Sequence, residues 1–196
     1  MMNFAQAWLA GYVSPRKFIG ALKSSPAPHW GFYAQVLRGL LDSLLLYLPL
    51  AIMGRQPPTP SYLTFIPTLN YYTALIWLTP LVFMTEWLLG ATVIHVFLRL
   101  RRLSSDIDQI LNITGMAGLV IGAILIVWDW LWFIIGGMNQ YTLGISHLLI
   151  DVWWFVIVVT GLKQLLGIPV RLGIIMTLLA FATSMPFAVL FMRAPF

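Results

Sequence analysis

Apolar residues dominate five stretches of this chain, at about 32–53, 71–98, 110–136, 144–163 and 172–193. Each reaches the roughly 20 residues with which a helix crosses about 30 Å of hydrocarbon. Lipid-exposed backbone must satisfy its own hydrogen bonds, and no period-2 alternation is present, so the pattern predicts helices rather than a barrel. The expected fold is an all-α membrane protein: a five-transmembrane-helix bundle over residues 31–196, preceded by an N-terminal amphipathic segment over residues 1–30. Pro49, Pro80 and Pro186 fall inside spans, where kinks are tolerable. The longest connection, Gly54 to Asn70, carries Pro57, Pro58, Pro60 and Pro67 and is too short for a catalytic domain. Any activity must therefore sit among the helices. Neither a repeat of about 20–50 residues nor a pair of matching broken spans is found, so neither a solenoid nor an inverted-repeat transporter is suggested.

Ahead of the first span, Phe4, Trp8 and Leu9, then Phe18, Ile19 and Leu22, are flanked by Arg16, Lys17 and Lys23. This reads as a kinked amphipathic segment lying on a membrane surface. It lacks the basic start, apolar run and small-residue cleavage site of a signal peptide. Basic residues in the short loops set the orientation. Arg16, Lys17, Lys23 and Arg38 precede the first span, Arg99, Arg101 and Arg102 separate the second from the third, and Lys163 and Arg171 separate the fourth from the fifth. The other side has Arg55 and Arg193. The N-terminus is expected in the cytosol and the C-terminus outside. Tyr62, Tyr71, Tyr72 and Trp132 fall where an outer aromatic belt belongs, and Trp30 and Tyr33 at an inner one.

Composition reinforces this picture: 60% of residues are hydrophobic and 9% charged, with a mean hydropathy of +0.90, whereas a soluble domain is about a quarter charged. The absence of cysteine removes disulfides and thiolate metal sites. The net charge of +5 is accounted for by orientation. Arg16, Lys17, Lys23, Arg99, Arg101 and Arg102 are expected to touch anionic lipid headgroups. Membrane lipids and other membrane subunits, or a second copy of the chain, are the expected partners; nucleic acid is not implied.

The order of features resembles the Yip1-domain family in its short prokaryotic form. The likeness rests on the segment SPRKFIGAL from Ser14 to Leu22, a short Pro-containing stretch, five spans, and GLKQLLGIPVRLGI from Gly161 to Ile174 after the fourth span. Eukaryotic members carry an Asp-Leu-Tyr-Gly-Pro element near the first span; this chain has only Asp42 and Tyr47-Leu48-Pro49, at a different spacing. The resemblance implies a fold and a prokaryotic inner membrane, and transfers neither a trafficking role nor catalytic residues.

Charges inside hydrocarbon are costly and mark functional candidates. Asp42, Glu86, Asp129, His147 and Asp151 lie deep enough to count, with His95 nearer the inner end of the second span. On the third span Gly115, Gly118 and Gly122 form a small-residue stripe for close helix approach. Asp129 continues the angle of Gly118 and Gly122, so it is expected to face protein. His147 and Asp151, four apart, share a face of the fourth span. At matched depth the three predict one cluster, able to share a proton, hold a cation, or clasp two helices. Glu86 aligns with Tyr72 and Thr79 in a stripe toward the bundle. Arg38 and Asp42 read as a self-paired ion pair at the cytosolic end of the first span.

No complete catalytic set is present, and neither a cofactor nor a metal site is expected. His95 and His147 are too far apart in depth to hold one haem. Ser105-Asp106-Ile107-Asp108 reads as a helix start with Ser at the cap, and Gly144-Ile145-Ser146-His147 is no nucleophile elbow. Two functions remain: a non-catalytic binding or assembly element, possible as an accessory subunit of a larger complex, and a small proton- or cation-coupled transporter using Glu86, Asp129, His147 and Asp151. A water-accessible cavity at Glu86 favours transport. A dry bundle favours assembly.

Overall fold

The computed structural model describes residues 2–23, 29–57, 62–135 and 140–191. Pro58 and Pro60 of the long connection, Gly136 at the end of the third span, and Arg193 and Phe196 lie outside the described residues. The chain is all-helical there: α1 (Phe4–Val13), α2 (Pro15–Lys23), α3 (His29–Asp42), a π-helical turn (Ser43–Tyr47), α4 (Leu48–Ile52), a 3-10 turn (Thr68–Asn70), α5 (Tyr71–Leu100), α6 (Ile107–Ile135), α7 (Gln140–Leu166) and α8 (Val170–Phe191). Five helices are long and apolar enough to cross a membrane: His29–Ile52, Thr68–Leu100, Ile107–Ile135, Tyr141–Leu166 and Val170–Phe187. Their outward faces carry exposed Trp77, Leu81, Ile134, Leu149 and Val152, which suits hydrocarbon and not water.

Local chemistry sets the boundaries. α4 ends in a Schellman motif, with Gly54 at φ +65° and Arg55 N–H bonded to the Leu50 carbonyl at 3.0 Å. α5 ends the same way although its left-handed residue is Arg102, φ +58°; Leu103 N–H reaches the Leu98 carbonyl at 2.9 Å. At the start of α6 the cap is Asp106, not Ser105 as the sequence suggested. Its carboxylate accepts from Asp108 N–H at 3.0 Å and Gln109 N–H at 3.2 Å, while Ser105 Oγ pairs with His95 Nδ1 at 2.8 Å. Pro49 has no N–H to give the Leu45 carbonyl one turn back. The Trp130 indole on α6 donates to that carbonyl instead, at 2.8 Å, beside the π-helical turn.

α6 is the hub: α3, α5 and α7 all pack on it. α8 packs on both α5 and α7, so α5, α6, α7 and α8 close a ring, with α3 lodged between α5 and α6. α3 and α6 run parallel, since Gly31 sits at Leu111 and Gly115 while Arg38 sits at Gly118 and Gly122. The N-termini of α3, α6 and α8 and the C-termini of α5 and α7 share one end, which carries Arg99, Arg101, Lys163 and Arg171. At the other end Leu46, Tyr47, Leu50, Tyr71, Tyr72 and Leu75 form a second small core, tied down by a bond from Tyr71 Oη to the Phe191 carbonyl at 2.8 Å.

The N-terminal segment is not laid out on the bundle's rim. Phe4 meets the Trp30 ring at the basic end, with centroids 5.9 Å apart. Gly11 lies against Val120, near the middle of α6, and its carbonyl accepts from Trp153 Nε1 on α7 at 3.0 Å. α1 therefore extends along α6 to mid-bundle. Phe18, Ile19 and Leu22 of α2, the apolar face assigned above to a membrane surface, are almost fully buried in the main core. The reason is available area: α6 and α7 offer these side chains a packed protein surface, and among the described residues of α1 and α2 the large apolar side chains left exposed are Leu9 and Val13.

Candidate functional site

Two glycine positions on α6 behave differently from a uniform close-approach stripe. At Gly115 an added Cβ would lie 2.6 Å from the Gly31 backbone, so here two helix backbones touch. At Gly118 it would meet Gln35 Nε2 at 2.5 Å, and at Gly122 the Arg38 stem at 2.9 Å. Those two glycines leave room for polar side chains of α3 rather than for its backbone. Gln35 uses the room to donate from Nε2 to the Gly115 carbonyl at 2.9 Å. Buried Asn112 accepts from Gly31 N–H at 2.9 Å, satisfying one of the free donors at the start of α3.

Arg38 is thereby delivered into the bundle. It stands nine residues beyond His29, about 14 Å along the helix axis, and so belongs to the span and not to the loop before it. Its guanidinium carbon lies 4.1 Å from the Phe83 ring centroid. The Asp42 pairing expected from the sequence is present only at the outer limit: Nε to Oδ2 is 4.0 Å. Arg38 Nε is buried without a hydrogen-bond partner among the described residues.

The space beyond Arg38 is a partly open cavity of about 310 Å³ lined by α3 and the four-helix ring. α5 contributes Phe83, Glu86, Trp87 and Gly90, and α6 contributes Thr114, Gly118 and Leu125. α7 supplies Gly144, His147, Leu148, Asp151 and Trp154, and α8 supplies Phe181, Ser184 and Met185. One wall is held by Trp87 Nε1, which donates to the Leu111 carbonyl at 3.0 Å; another by the Trp154 and Phe181 rings, 6.4 Å apart. Glu86 Oε1 is buried without a hydrogen-bond partner among the described residues.

The acids of the expected outer cluster divide between two places. Asp129, 5% exposed, sits beside His147 Nε2 at 2.7 Å and forms a clasp between α6 and α7, reinforced one residue away by Trp128 Nε1 donating to Ser146 Oγ at 2.8 Å. Asp129 does not line the cavity. Asp151, one turn along α7, does, together with Glu86, Arg38 and His147. His147 therefore stands between the clasp and the cavity. Thr79 is buried on the Glu86 stripe, whereas Tyr72 joins the second core, stacked on Tyr47 at 6.2 Å. His95 is engaged with Ser105 and lies away from the cavity. No group of three His, Asp or Glu side chains converges as a metal set among the described residues.

Gln35 and Arg38 were not singled out as site residues by sequence reasoning. The signal was available: Gly31, Gln35, Arg38 and Asp42 recur at steps of four, three and four, a polar stripe on one helix face that matches the glycine stripe of α6. The chain matches no family model, no curated protein and no solved structure.

Proposed function

We propose that this chain is a multi-pass membrane carrier that binds a small polar solute in the cavity around Arg38, Glu86 and Asp151. The observation that carries the reading is the cavity itself: about 310 Å³ in the middle of the bundle, reaching Glu86 and bordered by ionisable side chains. A bundle whose polar residues served only to tie helices together would close over them, because a charge left without a partner away from water is costly. The Asp129–His147 pair fits the tying role; Arg38, Glu86 and Asp151 do not. On this reading the basic end faces the cytosol and the chain lies N-in, C-out in a prokaryotic inner membrane, with the Yip1-like layout describing its order of spans. Exposed Lys23, with Arg99, Arg101 and Arg102, would then lie toward anionic headgroups, whereas Arg16 and Lys17 open α2 beside the mid-bundle end of α1 and stand deeper than the loop basics.

A carrier must open its site to each side in turn. Ser184 lines the cavity, and the chain has no cysteine, so Ser184→Cys gives a single thiol there. In sealed vesicles of either orientation, a membrane-impermeant cationic thiosulfonate is expected to modify Cys at this position from both sides. Modification from one side only would reduce the protein to a one-sided binding module. Modification from neither side would restore the assembly reading.

A further inference from the structure

The cavity is bordered by charges of both signs with polar atoms that the protein leaves without a hydrogen bond among the described residues, and that arrangement specifies a ligand. Arg38 is permanently cationic, with Nε unpartnered among the described residues and its nearest carboxylate oxygen 4.0 Å away on Asp42. The same cavity is lined by Glu86, with Oε1 unpartnered among the described residues, and by Asp151. A simple anion seated on Arg38 would share the site with two carboxylates. A simple cation seated on the acids would leave Arg38 with Asp42 alone, at 4.0 Å. A bare metal ion finds no converging set of three ligands among the described residues. Trp87 and Trp154 on the walls suit an organic ammonium, which gains from indole faces where a strongly hydrated inorganic ion would not.

We infer that the cavity binds a small zwitterion of the amino-acid class, its carboxylate on Arg38 and its ammonium between Glu86 and Asp151. The inference rests on the carrier reading of the cavity as a solute site, and it adds what the solute is. The volume agrees: about 310 Å³ is the liquid volume of roughly ten waters, enough for a short amino acid. Arg is the side chain suited to a bidentate carboxylate contact, and the guanidinium plane is already braced against Phe83.

The test uses the intact purified protein in mild detergent, with thermal unfolding and equilibrium binding as readouts. The probes are glycine, 4-aminobutyrate and 6-aminohexanoate, with n-butylamine and butyrate as single-charge controls. At least one zwitterion is expected to raise Tm by about 2 °C or more at saturation, and neither control to do so. Arg38→Gln and Glu86→Gln are each expected to weaken that zwitterion by about tenfold or more, and Arg38→Lys to weaken it less than Arg38→Gln. Butylamine stabilising as well as the zwitterion would overturn the inference, as would no response to any probe. Should Arg38→Gln fail to fold, the zwitterion-against-butylamine comparison on the parent decides alone. Two-sided labelling at position 184 with no zwitterion bound would refute this ligand and keep the carrier. Zwitterion binding with one-sided labelling would uphold the ligand and remove transport.

Discussion

The two sides of α6 are built for opposite purposes. Toward α3, backbone touches backbone at Gly31 and Gly115, Asn112 closes the helix start, and Gln35 is bonded into place. Toward the ring formed with α7 and α8, the helices stand around open volume. Over an 18-residue apolar stretch, 72% of α6 is buried inside the bundle, against 17% of α7 and 22% of α8. In a bilayer, helices gain little from hiding apolar surface from one another, so association depends on close packing and inter-helix hydrogen bonds. The α3–α6 seam has both; α7 is bonded to α6 by the Asp129–His147 and Trp128–Ser146 pairs, and meets α8 through the Trp154, Phe155 and Phe181 rings. On the carrier reading, the seam is the part that holds and the thinly buried pair is the part that moves around a ligand.

The largest effect that would break this contrast is expected at the seam. Gly115→Leu places a branched side chain where even a Cβ would be 2.6 Å from the Gly31 backbone, and a rigid backbone cannot yield as a side-chain tip can. Loss of the monodisperse, detergent-soluble protein is expected. Gly144→Leu, on α7 with no atom within 4 Å of its added Cβ, should leave elution and melting near those of the parent. Equal tolerance of the two substitutions would dissolve the distinction between a fixed and a mobile side.

Much of this arrangement is legible in the sequence, for physical reasons that also explain what is not. Hydrocarbon thickness and backbone hydrogen bonding leave five long apolar runs little choice, so helix identity follows from composition and length alone. Which helix faces meet is a weaker signal in membranes, because apolar residues point outward as well as inward. Hence Gly115, Gly118 and Gly122 stand out as a stripe, but not that one receives a backbone and two receive Gln35 and Arg38. Arg38 was misplaced because positive charge near a span's start ordinarily means loop. Only the stripe shared with Gln35 and Asp42 shows it turned inward. The apolar face of α2 carries the same pattern whether it meets lipid or protein, so periodicity could not tell that Phe18, Ile19 and Leu22 are covered by the chain's own helices.

A middle-sized effect separates the two acids of α6 and α7 by role. Asp129→Asn retains a group that can bond His147, so the clasp should survive with a stability change of about 1 kcal/mol or less, and zwitterion binding should persist. Asp151→Asn should fold equally well yet weaken zwitterion binding, because it removes a charge that faces the cavity. The measurement is reversible unfolding in mixed micelles paired with binding on the same preparations. Binding lost in Asp129→Asn and kept in Asp151→Asn would reverse the assignment and move the site into the clasp.

The smallest effect probes how the fixed side absorbs a proline. Trp130→Phe keeps most of the ring's packing and removes one donor, leaving the Leu45 carbonyl without the bond that Pro49 cannot make. The expected cost is about 1 kcal/mol, the usual size of a single net hydrogen bond. Pro49→Ala restores a backbone N–H one turn from that carbonyl, so the same Trp130→Phe change should cost less in the Pro49→Ala background. This double-mutant cycle isolates the coupling between the missing donor and its replacement. An equal cost of Trp130→Phe in both backgrounds would show that Trp130 contributes packing alone. The π-helical turn at Ser43–Tyr47 would then have to satisfy the Leu45 carbonyl by its own backbone.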